Sequence, residues 1–155
     1  MSLEVLLHCD GANGSTTFDN GGLGGAVTPA GACQLSTDPQ RFGSASGRCS
    51  APGDYLILPP VMHLSTWQIE GFFRFASNPA NSTQTLFTQY NSQDAGRTYF
   101  TMDHGGPGYY NPAAGEIVGN FGGAVADQWY HIALVRDGSG IHYYVNGVAY
   151  VNSGN

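Results

Sequence analysis

The sequence predicts an all-β protein that folds as two packed antiparallel sheets. Of its 155 residues, 23 are glycine, 8 are proline and only 10% are charged, a profile typical of short strands joined by turns. Several segments alternate bulky and small polar residues with a period of two, and no segment has a helical period. We expect about ten to twelve short strands, arranged as a sandwich in one domain over residues 1–155.

The first 60 residues are predicted to contain short extended pieces between turns. The run LEVLLHC, residues 3–9, lacks a basic leader and is too short for a signal-peptide core, so it is predicted to be a first strand. The Asp-, Asn- and Gly-rich residues 10–25 are predicted to be a loop. Further extended pieces are expected at residues 26–29, 33–36, 41–46 and 54–58, the last ended by two prolines that cannot donate to a ladder.

Residues 66–76 have the clearest strand pattern. Because successive side chains of a strand point to opposite faces, every second residue is assigned to the core and the residues between them to a half-polar face. The core set is Trp67, Ile69, Gly71, Phe73 and Phe75, and the opposite set is Gln68, Glu70, Phe72 and Arg74.

The segments after this strand are predicted to form a hairpin, a loop and a weak strand. Bulky and small polar residues alternate within residues 83–90 and within residues 97–103, and a turn signal separates the two runs. The two runs are expected to pair as a hairpin. The stretch HGGPGYYNPAAGE is rich in glycine and proline and is expected to be a long loop. A weak strand is predicted over residues 116–121.

The end of the chain predicts three consecutive antiparallel strands. Residues 129–136 are apolar on nearly both faces, so this strand is expected inside a sheet and not at its edge. Residues 137–140 are predicted to form a turn, and residues 141–145 are predicted to form a strand that runs back beside residues 129–136. Asn146-Gly147 is a strong two-residue hairpin signal, and a last strand is predicted over residues 148–152.

Charge and hydropathy exclude two classes of partner. The chain has no lysine, its five arginines are scattered, and its formal net charge is −6. Binding to a phosphate backbone requires clustered cations, so neither nucleic acid nor an anionic membrane is expected as a partner. No stretch approaches the roughly 18 consecutive apolar residues of a membrane span.

The three cysteines do not predict a disulfide framework, because their number is odd. Cys33 and Cys49 could pair if their strands are neighbours. Free, buried thiols are the favoured interpretation.

Four segments resemble the concanavalin A-like, laminin G-like jelly-roll domains, especially those of bacteriophage virion proteins and large bacterial surface proteins. They are LLHCDGANGSTTFDN, FGSASGRCSAPGDYLILP, WQIEGFFRF and QWYHIALVRDGSGIHYYVNG. The resemblance implies a β-sandwich whose loops or concave sheet bind glycans or protein surfaces, often without catalysis.

The chain departs from these domains after the Asn-Gly hairpin, where they usually continue with strands that return beside the first strand. We therefore expect the domain over residues 1–155 to be incomplete at its C-terminus, either as part of a longer protein or because another chain supplies the closing strands. An uncovered edge invites strand addition. A neighbouring virion or surface protein is expected to cover the first strand or residues 148–152.

Catalysis is not expected. Retaining glycoside hydrolysis needs two carboxyl groups roughly 5 Å apart, whereas Glu4, Glu70 and Glu116 each lack a second carboxylate on the same face of their strand. The histidines have no metal-ligand spacing, and no nucleophile elbow is present. His131 is expected to be a hydrogen-bonded core residue.

Calcium is the one cofactor that the sequence suggests. Asp10, Asn13, Asp19 and Asn20 supply oxygen ligands in a glycine-rich loop, which is the ligand type that Ca²⁺ prefers. The predicted metal ligands are Asp10, Asp19 and Asn20. The alternative is that these residues form turns, which would explain the composition alone.

A glycan site is predicted around the tyrosines of the expected loop. Aromatic faces and planar amides suit a sugar's mixture of C–H patches and hydroxyls. The alternative is that the tyrosines pack within the loop or against a partner protein. The predicted ligand-binding residues are Tyr109, Tyr110, Asn111, Asp103, His104 and Arg97.

Taken together, these features predict a non-catalytic structural and binding module. The first hypothesis is a bacteriophage virion component, such as a capsid decoration, tail or fibre protein, that binds neighbouring proteins and also host glycans. The alternative is a carbohydrate-binding adhesion module of a bacterial surface or secreted protein, which places the protein outside the cell. Both hypotheses expect a larger or oligomeric assembly.

Overall fold

A computed structural model of the protein describes residues 5–59, 66–77, 84–89, 98–103, 106–111, 115–118, 121 and 124–153. These residues form twelve strands and no helix, which confirms the all-β prediction. None of these ranges therefore holds a helix that could cross a membrane. The chain separates into two compact units, Met1–His63 and Leu64–Asn155. That one domain spans residues 1–155 stays a prediction.

The strands are short in the first unit and longer in the second. In chain order they are β1 (Thr28–Ala30), β2 (Gln34–Ser36), β3 (Ser46–Arg48), β4 (Tyr55–Ile57), β5 (Trp67–Arg74), β6 (Gln84–Gln89), β7 (Thr98–Asp103), β8 (Gly106–Asn111), β9 (Gly115–Val118), β10 (Trp129–Asp137), β11 (Gly140–Val145) and β12 (Val148–Ser153).

The first unit contains two small antiparallel pairs, β1 with β4 and β2 with β3. Its core is a cluster of Phe18, Val27, Leu35 and Ala45. Partly buried apolar side chains, among them Leu56 of β4, pack against this cluster. Burial of this apolar surface holds together a unit whose strands are only three residues long.

The predicted first strand over residues 3–9 is wrong for residues 5–9, which the structure describes. Leu7 forms only an isolated bridge with Asn20. The backbone N–H of Leu6 donates to the side-chain Oδ1 of Asn20 at 2.9 Å and not to a neighbouring strand. Cys9 adopts a left-handed φ of 54°, which ends extended backbone at that residue.

The preference for free thiols at Cys33 and Cys49 is also wrong, because the two residues form a disulfide. Gln34 of β2 lies opposite Arg48 of β3, so the next positions along the ladder face each other with their Cα atoms 4.3 Å apart. A disulfide that closes a loop of this size stabilises a protein by about 3 kcal/mol. Cys9 is the free cysteine, and burial raises the pKa of its thiol.

The second unit contains two four-stranded antiparallel sheets. The front sheet has the order β12-β11-β10-β5, and the back sheet has the order β6-β7-β8-β9. Non-adjacent elements β10 and β5 pair over eight residues, from Trp129 opposite Arg74 to Arg136 opposite Trp67. This crossover places β5, from the middle of the sequence, at one edge of a sheet whose other members are the last three strands of the chain.

The two sheets pack through aromatic and aliphatic side chains, as in a concanavalin A-like jelly-roll sandwich. Phe100 of the back sheet and Tyr143 of the front sheet meet edge to face with ring centroids 4.9 Å apart. The Tyr143 hydroxyl donates to the backbone carbonyl of Thr101 at 3.4 Å. Met102, Ile132 and Leu134 are fully buried beside them, and burial raises the pKa of Tyr143 well above its usual range.

The face assignment for β5 is confirmed, as is the interior position of β10. Trp67 and Phe75 are buried, while Gln68, Glu70 and Phe72 on the opposite face are exposed. β10 lies between β5 and β11, inside the sheet. The period of two identified both faces of β5 because this strand buries one side against the back sheet.

The predicted hairpin of β6 and β7 is confirmed, but the predicted loop after it is wrong. Residues 106–111 form strand β8, which pairs with β7 and with β9. Gly108 lies opposite Thr101, and a Cβ at Gly108 would lie 2.7 Å from Thr101 Oγ1. The glycine that suggested a loop therefore allows two strands to approach. The weak strand β9 covers residues 115–118, slightly before the predicted range.

The Asn146-Gly147 hairpin is confirmed between β11 and β12. Asn146 has a φ of 51° and Gly147 a φ of 80°, the left-handed pair that a primed two-residue turn requires. Within the described residues, β12 pairs with β11 alone and is an edge of the front sheet.

Replacing Tyr143 by Phe should lower the free energy of unfolding by about 1 kcal/mol, because it removes the hydroxyl that bonds the opposite sheet. Tyr144→Phe is the matched control, since Tyr144 lies on the other face of the same strand and should change stability little. Urea denaturation followed by tryptophan fluorescence measures both. Equal stability of Tyr143→Phe and the wild type would contradict a stabilising bond between the sheets.

Candidate functional site

Four of the six predicted glycan-binding residues lie on the paired strands β7 and β8 and not in one loop. Tyr109 is the cross-strand partner of Phe100, and Tyr110 is the partner of Tyr99. Asp103 pairs with Gly106 at the turn, whereas Asn111 lies five residues further along β8, a distance of about 17 Å in a strand. Adjacent strand positions belong to opposite faces of a sheet.

Two of the six predicted residues, Arg97 and His104, lie outside the described residues. Tyr110 is partly exposed. The glycan site around these six residues stays a prediction.

The predicted calcium ligands mainly organise the backbone of their loop. Asp10 Oδ1 accepts hydrogen bonds from the backbone N–H of Ser44 at 2.6 Å and from its hydroxyl at 3.2 Å. These bonds lower the pKa of the Asp10 carboxyl. Asn20 Oδ1 accepts from the N–H of Leu6 and of Gly22, both at 2.9 Å.

Asn13 has the same kind of contact, since its Oδ1 accepts from the backbone N–H of Thr37 at 3.3 Å. These contacts favour the interpretation that the Asp and Asn residues form turns. In the part of the chain that the structure describes, no three His, Cys, Asp or Glu residues are grouped to hold a metal ion. Calcium binding by Asp10, Asp19 and Asn20 stays a prediction.

A second group of polar and aromatic side chains lies on the outer face of the front sheet, the face directed away from the back sheet. Register places residues from β5, β10 and β11 side by side on it. This outer face is formed by Gln68, Glu70, Phe72, Arg74, Trp129, His131, Ala133, Val135, Asp137, His142 and Tyr144.

Glu70, Phe72 and His131 form the centre of the outer face. His131 Nε2 lies 3.3 Å from Glu70 Oε2, and the His131 and Phe72 rings have centroids 5.0 Å apart. Phe72 is 41% exposed, and the Glu70 side chain is 51% exposed. An exposed ring and a carboxylate therefore stand together, both in contact with one imidazole.

The expectation that His131 is a core residue is wrong. Tyr130, Ile132 and Leu134 are buried on the inner face of β10, and the small Ala133 is buried on the outer face. His131 lies on the outer face and is only partly buried. Its backbone is fixed by Asn146, whose Oδ1 accepts from the His131 N–H at 3.0 Å and whose N–H donates to the His131 carbonyl at 2.8 Å.

Arg74 is neutralised at one end of the outer face. Its guanidinium Nη2 lies 2.7 Å from Asp127 Oδ1, and its Nε donates to the Asp127 carbonyl at 3.2 Å. Asp127 is in the left-handed region with a φ of 63°, and its N–H donates to the Phe75 carbonyl at 2.8 Å. The pair therefore fixes the turn that leads into β10.

Asp137, Ser139 and His142 form a polar cluster at the other end. Asp137 Oδ1 accepts from the Ser139 N–H at 2.7 Å and from its hydroxyl at 2.6 Å. The same oxygen lies 3.1 Å from His142 Nε2. The Ser139 hydroxyl, backbone N–H and His142 lower the pKa of Asp137 to about 2.

This cluster does not have the geometry of a Ser-His-Asp triad. A triad requires the carboxylate at one imidazole nitrogen and the hydroxyl at the other. Here Asp137 and the Ser139 hydroxyl, 3.0 Å away, both contact Nε2 of His142, and the hydroxyl also bonds to Asp137. The cluster stabilises the β10–β11 turn.

The carboxylates of the outer face stand at well-separated strand positions in the described part of the chain. Glu70 lies opposite Ala133, and Asp137 follows four residues later, a distance of about 13 Å along a strand. Asp127 interacts with Arg74, which is likewise four residues from Glu70 on β5. Retaining and inverting glycosidases hold their carboxyl groups within about 10 Å.

The sequence contained only part of the signal for this site. The alternation in β5 identified the half-polar set with Glu70 and Phe72, but nothing local indicated that β5 pairs with β10. His131 joins the pair only through that long-range register.

With this geometry established, comparison with known proteins identifies the family. A family model described as the concanavalin A-like lectin/glucanases superfamily, of the laminin G type, matches residues 50–154. The match covers more than half of the chain, so the protein belongs to this superfamily, as the resemblance predicted. No curated protein and no solved structure matches the chain. Membership in this superfamily indicates a binding module.

The stability contributed by the Asp137 carboxylate should depend on pH. Because its pKa of about 2 in the folded protein lies below the usual aspartate value of 3.8, ionised Asp137 stabilises the fold above pH 4, and this stabilisation is lost as the pH falls towards 2. The wild type should therefore be more stable than Asp137→Ala at pH 7, with a difference that shrinks below pH 4. Denaturant unfolding at a series of pH values measures this, and a constant difference would contradict it.

Chelation should leave thermal stability unchanged, because the oxygens of Asp10 and Asn20 already accept backbone hydrogen bonds. Melting temperatures with a chelator, and then with calcium in excess, measure this. A higher melting temperature with calcium that Asp19→Asn abolishes would instead establish the calcium site, since a ligand that binds only the folded state stabilises it.

Proposed function

We propose that the protein is a non-catalytic structural and binding module of a bacteriophage virion, part of a capsid decoration, tail or fibre. In this role it binds neighbouring proteins, and host glycans are a second class of ligand. The superfamily contains both lectins and glucanases. The proposal therefore depends on whether the outer face is suited to binding or to hydrolysis.

The observation that carries the proposal is the composition of that outer face. Its central carboxylate, Glu70, has a histidine and an aromatic ring as neighbours, and the other carboxylates of the face are fixed by Arg74 or by the β10–β11 turn. Such a surface can bind a partner but lacks the paired acids of a glycosidase.

The edge strand β12 supports an assembly. Within the described residues it pairs with β11 alone, and Val148 at its start is 54% exposed. An exposed edge strand can add a strand from another chain, and proteins usually cover or protect such edges. A neighbouring subunit of a virion would supply this cover.

The Cys33–Cys49 disulfide supports a location outside the cell. Disulfides persist in oxidising surroundings and are rare in the cytosol. A virion released by lysis and a protein of the bacterial surface both meet this condition.

A carbohydrate-binding adhesion module of a bacterial surface protein is the second candidate. It is favoured by the exposed ring of Phe72 beside hydrogen-bonding groups of Glu70 and His131, since sugars bind to aromatic faces flanked by polar groups.

Sedimentation, a glycan array and a reducing-sugar assay test the proposal together. We expect concentration-dependent assembly of the chain and no release of sugar from polysaccharides. Val148→Lys should weaken assembly by placing a charge on the β12 edge, whereas Val125→Lys should not, because Val125 is equally exposed, at 54%, but lies outside any strand.

Two results would contradict the proposal. Binding of defined glycans by a chain that stays monomeric at all concentrations would establish the adhesion module instead. Release of reducing sugar that Glu70→Gln abolishes would show that the protein is an enzyme.

A further inference from the structure

We propose that the Glu70–Phe72–His131 centre of the outer face docks a cationic side chain, an arginine, of a partner protein. The inference rests on the proposed binding function and names the partner chemistry of that same surface.

Glu70 and Phe72 have the spacing that a guanidinium needs. They are two residues apart on β5 and therefore share one face, with a separation of about 7 Å along the strand. A guanidinium laid over an aromatic ring gains a cation–π attraction within about 6 Å of the ring centroid. From there its planar N–H groups can reach the neighbouring carboxylate.

His131 positions both groups. Its Nε2 contacts Glu70 Oε2 at 3.3 Å, and its ring packs against Phe72 with a tilt of 44°. Its backbone is held in turn by the two hydrogen bonds with Asn146. The carboxylate and the ring are therefore oriented before a ligand arrives, which reduces the entropy lost on binding.

The charges of the outer face favour a cation. Arg74 is the next residue on this face of β5, and its guanidinium is bound to Asp127 at 2.7 Å. Asp137 adds a second negative charge at the far end of β10. The whole chain has no lysine and a formal net charge of −6, so a basic partner complements both the local and the overall charge.

The protein itself contains an arginine on an aromatic ring. The Arg41 guanidinium carbon lies 5.0 Å from the centroid of the exposed Phe42 ring. This contact lies in a loop of the first unit. On the outer face a ring and a carboxylate stand together, so an arginine there can gain an ion pair with hydrogen bonds in addition to the cation–π contact.

A titration of the isotope-labelled full chain with N-acetyl-arginine amide tests the inference. The measured quantity is the change in the backbone amide chemical shifts. We expect shifts at residues 70–72 and 131. The citrulline analogue is the matched ligand, because it has nearly the same shape without the charge, and it should cause much smaller shifts. Phe72→Leu should weaken arginine binding about fivefold, because it removes the cation–π contact. Glu70→Gln should weaken it by about the same factor, because it removes the charge that pairs with the guanidinium.

Asp38→Asn is the control variant, since it removes the same charge as Glu70→Gln from an exposed position of the first unit and should leave binding unchanged. Equal shifts with arginine and citrulline, or unchanged binding in both outer-face variants, would overturn the inference. A titration with a neutral oligosaccharide that shifts the same amides, where arginine does not, would assign the face to glycans.

Failure of this inference is distinguishable from failure of the proposed function. If arginine does not bind but Val148→Lys still weakens assembly, the proposed function stands and the docked chemistry is wrong. If sugar is released or the chain stays monomeric while binding glycans, the proposed function fails whatever the arginine titration gives.

Discussion

The second unit depends on the pairing of β10 with β5 and β11 at the same time. These contacts join a strand from the middle of the sequence to a hairpin more than fifty residues later, from Trp67 opposite Arg136 to Val145 opposite Ile132. One face of the resulting sheet is buried on the back sheet through Tyr143 and Phe100. The other face is left for polar and aromatic groups, so one alternating pattern specifies both the core and the candidate site.

The sequence was sufficient to predict the long strands of the second unit because their faces differ in burial. Trp67 and Phe75 are buried and Gln68 is exposed, as the period of two indicated. The prediction failed where it rested on glycine and proline content instead of on alternation. Residues 106–111 looked like a loop, but they form β8, where a Cβ at Gly108 would lie 2.7 Å from Thr101 Oγ1.

The first unit was predicted less well, because hydrogen bonds from side chains compete with its ladders. Asn20 takes the N–H of Leu6 that a first strand would have used. The Cys33–Cys49 bond was missed because an odd cysteine count contains no information on pairing, whereas the β2–β3 register fixes it. The candidate site could not be predicted from neighbouring residues either. Glu70 and His131 are 61 positions apart in the chain, and only the pairing of β5 with β10 brings them into contact.

The double hydrogen bond between Asn146 and His131 links a tight turn to the middle of the candidate binding surface. Such a turn is ordinarily a convenient place for inserting a tag or an epitope, because exposed tips tolerate added residues. In this protein an insertion after Asn146 would release the imidazole that orients Glu70 and Phe72. The Pro52-Gly53 turn, where Gly53 has open space around it, is the safer position for engineering a display scaffold from this chain.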